Sequence, residues 1–220
     1  MTVRVAFNTE LQALHNDLVR MGGMIEDAIE KSVRSLELRS RELALSIIDG
    51  DHLVDQMEKD IESRCLNLLL RQQPVAKDLR SISTALKIIT DMERIGDQAA
   101  DIADITLHLN EGQSLHMAKH LPAMAQVASE MVHKSVTAFV HSDLQLARET
   151  MERDDEVDTL FLQVRSDMIS LLQSGAEHAD QAIDVMMMAK YLERIGDHAV
   201  NICEWVEFFV TGEYKNTRII

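Results

Sequence analysis

Apolar residues recur along this chain at three- and four-residue steps. Leu11, Leu14, Leu18, Met21, Ile25, Ala28 and Leu36 share one face of a first helix, and Val54, Met57, Ile61, Cys65 and Leu68 share one face of a second. A third stripe starts at Leu79 and continues through Ile82, Leu86 and Ile89. Ser40 and the Asp49-Gly50-Asp51 cluster punctuate the first two stripes, and Pro74 separates the second from the third. The pattern predicts three long helices in the first half, with a short helical turn at 41–48.

The second half repeats the first. Lys31-Ser32-Val33 returns 103 residues later as Lys134-Ser135-Val136. At the same spacing Asp51, Val54, Asp55, Met57, Ile61, Leu68 and Leu69 map onto Asp154, Val157, Asp158, Leu160, Val164, Leu171 and Leu172. Glu93-Arg94-Ile95-Gly96-Asp97 returns unchanged 100 residues later as Glu193-Arg194-Ile195-Gly196-Asp197. The change of spacing falls in the loop around 72–77, which loses three residues near 174–179. A length difference confined to a loop, with helical register kept on both sides, is the mark of a duplicated unit. The expected fold is therefore all-α: two tandem, sequence-related three-helix bundles over 8–110 and 115–214, joined near 110–114.

Composition narrows the function. The chain has 220 residues, 46% of them hydrophobic and only 4% aromatic, a balance that suits aliphatic helix packing. Its formal charge of −15 disfavours phosphate backbones and anionic lipid, so no nucleic-acid partner is expected, and any membrane is reached through a protein. Cys65 and Cys203 form no paired-spacing motif, and neither a signal peptide nor a bilayer-spanning apolar run is present. A cytoplasmic location is expected.

The third helix of each half carries the informative residues. Its apolar stripe leads onto Glu93, with Asp97 and Asp101 following at i+4 and i+8 on nearly the same face. The second half has Glu193 and Asp197, but Asn201 stands where the third carboxylate would be. Like charges stacked in this way destabilise a helix, and near a core they require a compensating cation. One such cation is an arginine, Arg94, Arg194 or one from another helix, in an ion-pair network. The other is a metal ion, because the second helix of each half brings its own pair, Asp51/Asp55 and Asp154/Asp158, next to Val54 and Val157. Oxygen-only ligand sets suit Mg²⁺, Mn²⁺, Ca²⁺ or iron. Gly96 and Gly196, penalised inside a helix by about 1 kcal/mol relative to alanine, imply close approach of backbone or ligand at the same place in both halves.

Other candidates carry less. Glu130-Met131-Val132-His133 matches one ExxH element of di-iron bundles, but that architecture needs two. His198 reads as a solvated helix histidine, and Met186-Met187-Met188 as core and flank. Trp205, Phe208 and Phe209 form an i, i+3, i+4 patch that is either core or a dimer surface. No phosphate-binding Gly-rich loop or nucleophile elbow is present.

Two ERIGD motifs a hundred residues apart, each on the third helix of a bundle, resemble the PhoU family of phosphate-signalling proteins. Gln73-Pro74-Val75-Ala76-Lys77-Asp78-Leu79-Arg80 is similar to the family's QPxAxDLR segment, and Val210-Thr211-Gly212-Glu213 to its closing segment. The resemblance covers about residues 8 to 214. It implies two three-helix bundles whose E(D)xxxD motifs bind metal clusters in some members, here Glu93/Asp97 and Glu193/Asp197. Asp101 extends the first motif, and Asp51, Asp55, Asp154 and Asp158 are added from facing-helix geometry; the resemblance leaves the metal open among iron, manganese, magnesium and zinc. It also implies a regulatory role and no enzyme: a homodimeric negative regulator of the phosphate-starvation regulon and of phosphate uptake, acting as an adaptor between a PhoR-type sensor histidine kinase and the PstB-type ATPase of a phosphate transporter. A metal store or chaperone, or a carboxylate-bridged metalloenzyme, are the alternatives.

Overall fold

The computed structural model describes residues 3–72, 74, 77–109, 119–175, 178–214 and 217–218. Gln73, Val75 and Ala76 of the QPxAxDLR segment, and the joint at 110–114, lie outside the described residues. The helices are α1 (Val3–Leu38), α2 (Arg41–Gln72), α3 (Lys77–His108), α4 (Leu121–His141), α5 (Leu144–Glu152), α6 (Asp154–Ser174) and α7 (Ala179–Thr211). A two-residue antiparallel ribbon, β1 (Glu213–Tyr214) with β2 (Thr217–Arg218), follows α7. Helices α1 to α3 pack on one another as the first unit and α4 to α7 as the second. The units then join along α3 against α7 and α1 against α4.

The duplication extends to backbone detail. Arg39 and Ser142, at equivalent positions, are the described non-glycine residues with positive φ, 51° and 55°. Each closes the first helix of its unit. The amide of Ser40 donates to the Ser35 carbonyl at 2.9 Å, and that of Asp143 donates to the equivalent Ala138 carbonyl at 2.8 Å. Ser40 and Asp143 then cap the next helix, accepting from the amides of Leu43 and Leu146.

The units differ in how the second helix begins. The expected turn at 41–48 is instead the first two turns of α2, which runs unbroken through Asp49, Gly50 and Asp51. Packing overrides the glycine penalty there: Ala44 and Ile47 are held against Ala103 on one side, and Val54 and Met57 sit in the main core on the other. The predicted interruption does occur in the second unit, at Arg153 between α5 and α6. The Arg153 amide donates to the Thr150 carbonyl and its carbonyl accepts from Glu156, a local tightening to three-residue bonds.

One apolar core serves both units, running from Phe7 to Phe209. The Val54–Leu68 stripe is buried as predicted, whereas on α3 Leu79 is exposed and Leu86 half-buried. The buried line of α3 runs through Ile82, Ala85, Ile89, Met92, Gly96, Ala99 and Ala103, so Glu93 borders the core rather than occupying it. The aromatic patch is used inside the chain. Phe208 and Phe209 are buried, Phe139 lies 5.5 Å from Phe209, and Trp205 stacks on Tyr214 at 4.2 Å beneath Lys87. Phe208 and Phe209 are core, and Trp205 is half-buried against them. Among the described residues, no helix is long and apolar enough to cross a membrane.

Candidate metal centre

Glycine sets the geometry of both carboxylate clusters. A Cβ at Gly96 would stand 3.1 Å from Val54 Cγ1 and 3.3 Å from Asp51 Oδ1; one at Gly196 would stand 3.0 Å from Asp154 Oδ1. α2 therefore lies tight on α3, and α6 on α7, with an aspartate draped over the glycine in each case. The repeated glycine thus serves close helix approach and carboxylate placement together.

In the first unit, Asp51, Asp55 and Asp97 each bring one carboxylate oxygen within 4.8 Å of the others. Burial pushes the Asp51 carboxyl up to about 6, helped by the charges of Asp97, Asp55 and Asp101, and the protonated group donates to Asp97. Glu93 and Asp97 are raised in the same direction, first by burial and then by their acidic neighbours. Glu58, which the sequence reading passed over, belongs here too: it is raised by burial and by Glu62, Asp55 and Asp97, and it acts on Glu93 in turn. The arginine reading gains nothing from this arrangement. Arg94 is exposed and acts on Glu93 and Asp97 only through space, as the smaller, opposing influence.

The second cluster shares the aspartate-over-glycine contact and is charged differently; among the described residues the close convergence of three carboxylate oxygens is seen in the first cluster. Asp154 is also pushed up to about 6, by burial and then by Asp158, Asp197 and Glu193. Here Lys190 contacts the Glu193 carboxylate directly, and its ammonium lies 5.9 Å from the Phe161 ring centre. Phe161 stands at the position of Glu58, and Lys190 at that of Thr90. The second cluster thus has one carboxylate fewer and one attached cation.

Asp101 and Asn201 have a further role that periodicity in one helix does not reveal. Asp101 accepts a hydrogen bond from Tyr191 of α7. At the matching place across the seam, Asn201 donates to Asp91 of α3 at 3.3 Å, and His198 Nδ1 lies 2.8 Å from the same oxygen. Positions 91 and 191, and 101 and 201, are equivalent in the repeat, so the two contacts are related by the duplication. An asparagine at 201 is needed because its partner is already an aspartate. His198 is buried in this seam, not solvated as the sequence suggested. The ExxH element also comes apart: Glu130 bonds Arg153 at 2.6 Å while His133 meets Glu26 at 3.2 Å.

Two outcomes follow. Asn201→Asp sets a second carboxylate against Asp91 and lowers stability by about 1–3 kcal/mol; adding Asp91→Asn restores most of it, a coupling read by a double-mutant cycle in urea. Asp51 and Asp154 hold protons between about 4 and about 6 that the unfolded chain has released. Their contribution is full below the unfolded value and is lost as pH rises through about 6. Metal-free protein should therefore melt higher near about pH 5 than near about pH 8, and Asp51→Asn should shrink that difference.

Comparison with known proteins places these features in a lineage. The family model described as the PhoU domain matches twice, at residues 18–106 and 121–206. A phosphate-specific transport system accessory protein PhoU homolog from Clostridium acetobutylicum is 36% identical over 96% of each chain. One from Thermotoga maritima is 32% identical over 97% of this chain and 92% of its own. The crystal structure of PhoU from Pseudomonas aeruginosa superposes with a TM-score of 0.88 at 31% identity, covering 94% of this chain and all of that one. That of the phosphate transport system regulatory protein PhoU from Streptococcus pneumoniae gives 0.88 at 28%, with 94% and 98% covered. Matched in both halves and along nearly its whole length, the chain belongs to the PhoU family.

Proposed function

We propose that this protein is a cytoplasmic negative regulator of phosphate uptake and of the phosphate-starvation genes. In this reading it is an adaptor between a PstB-type transporter ATPase and a PhoR-type sensor histidine kinase. The observation that carries it is the full-length match to proteins named as phosphate-specific transport system accessory proteins. A role without catalysis suits the chemistry of its most reactive side chains. Cys65 and Cys203 are buried, and burial pushes both thiols up to about 12, which keeps them protonated and poor nucleophiles. Homodimer formation rests on the family likeness, since Phe208 and Phe209 are buried inside the chain and Trp205 is half-covered there.

The carboxylate clusters serve as metal sites in this reading. Asp51, Asp55 and Asp97, with Glu93 and Glu58 beside them, would hold a hard or borderline cation such as manganese or iron; Asp154, Asp158, Glu193 and Asp197 would hold a second. Asp101 borders the first set. The reading is supported by converging oxygens at Asp51, Asp55 and Asp97, by raised carboxyl pKa values in both sets, and by donors without sulfur or nitrogen. A bound cation supplies the positive charge that these groups lack. It replaces the proton between Asp51 and Asp97, so binding weakens as pH falls through about 6.

Deleting the gene should leave alkaline phosphatase and other starvation genes expressed in phosphate-rich medium; normal repression in the deletion strain contradicts the regulatory reading. Manganese or iron at a hundredfold excess over Kd should add about 2.7 kcal/mol of stability. Asp55→Asn with Asp97→Asn should remove one of two unequal calorimetric transitions while leaving the metal-free protein at least as stable. A destabilised metal-free double variant with no metal response would instead favour a structural charge network.

A further inference from the structure

A cavity of about 170 Å³ lies behind the first carboxylate cluster, between α1, α2 and α3. Its walls are mainly apolar, from Met24, Ala28, Ile47 and Leu53, and Asp27, Asp51 and Lys31 line it as well. The repeat shows why it is open. At the 103-residue spacing, Gly50 corresponds to Arg153, Ala28 to Met131 and Asp27 to Glu130. In the second unit Met131 is fully buried and Arg153 reaches across, its guanidinium 2.6 Å from Glu130 and 3.1 Å from Glu156. One unit carries its arginine in the chain; the other keeps the carboxylate and lacks both filling side chains.

Gly50 has no packing reason to be glycine. It is helical, and a Cβ there would meet nothing within 4 Å, although glycine is disfavoured at such a place. We propose that this cavity is a docking site for an arginine side chain presented by a basic segment of a partner protein, which takes the place that Arg153 fills in the second unit. The lining matches that chemistry: apolar walls for the aliphatic stem and Asp27 for the guanidinium. Lys31 now pairs with Asp27 at 2.5 Å, but both are well exposed, and an exposed helix pair of this kind yields readily to a planar, bidentate donor. The chain's formal charge of −15 draws a basic segment toward it. Asp51 and Gly96 line the cavity and shape the carboxylate cluster, so a docked arginine would sit directly behind that cluster. The site needs no metal to form.

Methyl-labelled full-length protein, stripped of metal and titrated with N-acetylarginine methylamide, tests this. Saturable shifts at the Met24 and Ala28 methyl signals are expected, about tenfold weaker with the lysine analogue. They should be absent in Gly50→Arg, where the side chain fills the cavity from within. Gly50→Arg should also melt about 2–4 °C above Gly50→Ala, a difference that Asp27→Asn removes. No shift in the parent protein, shifts of equal size in Gly50→Arg, or equal melting of the two Gly50 variants would overturn the proposal. Loss of self-association in Gly50→Arg would assign the arginine to a second copy of the chain and overturn the partner assignment.

Discussion

The close approach of two helices at a glycine underlies the rest of this molecule. Where α2 crosses α3, and α6 crosses α7, the missing side chain lets an aspartate and a valine settle onto the helix opposite. The valine continues the core, and the aspartate is drawn into half-buried surroundings beside other carboxylates. That placement opposes folding, because it raises the cost of charging Asp51 and Asp154. A stable core shared by both units carries this local cost. The clustered carboxylates are therefore held in place by packing elsewhere.

The two units are copies in backbone and unequal in chemistry. Their inter-helix turns match down to the positive φ of Arg39 and Ser142. Their clusters diverge through Glu58 against Phe161 and Thr90 against Lys190. Their second helices diverge through Gly50 against Arg153. Across the seam, Asp91 with Asn201 and His198, and Tyr191 with Asp101, tie α3 to α7. Each of these helices also carries part of a cluster, so the seam joins the helices that frame the two clusters.

Much of this was legible in the sequence. Three- and four-residue apolar steps show the helices, and the repeated ERIGD shows the duplication. Glycine at the same place in both copies points to the close approach that Gly96 and Gly196 make. Periodicity within one helix tells which face is buried but not which helix covers it. For that reason the seam contacts of Asp91, Tyr191 and His198 were hidden, and Asn201 read as a lost ligand rather than as the partner of an aspartate. Glu58 stayed hidden because it lies on the polar side of a stripe that only packing reveals to be half-covered. Asp49-Gly50-Asp51 looked like a helix end because local preference favours one, and core contacts on both sides overrode it. The aromatic triplet was ambiguous because Tyr214, which covers Trp205, follows the helix that carries it.

The most direct test of the central claim is anomalous diffraction from crystals of the metal-stripped protein soaked in manganese. The account predicts a strong peak bounded by oxygens of Asp51 and Asp55 from α2 and of Asp97 from α3, and a weaker peak at Asp154, Asp158 and Asp197. It also predicts that the first peak disappears in Asp55→Asn with Asp97→Asn. Ordered carboxylates with no peak at saturating manganese, or a lysine or arginine side chain seated among them, would contradict it.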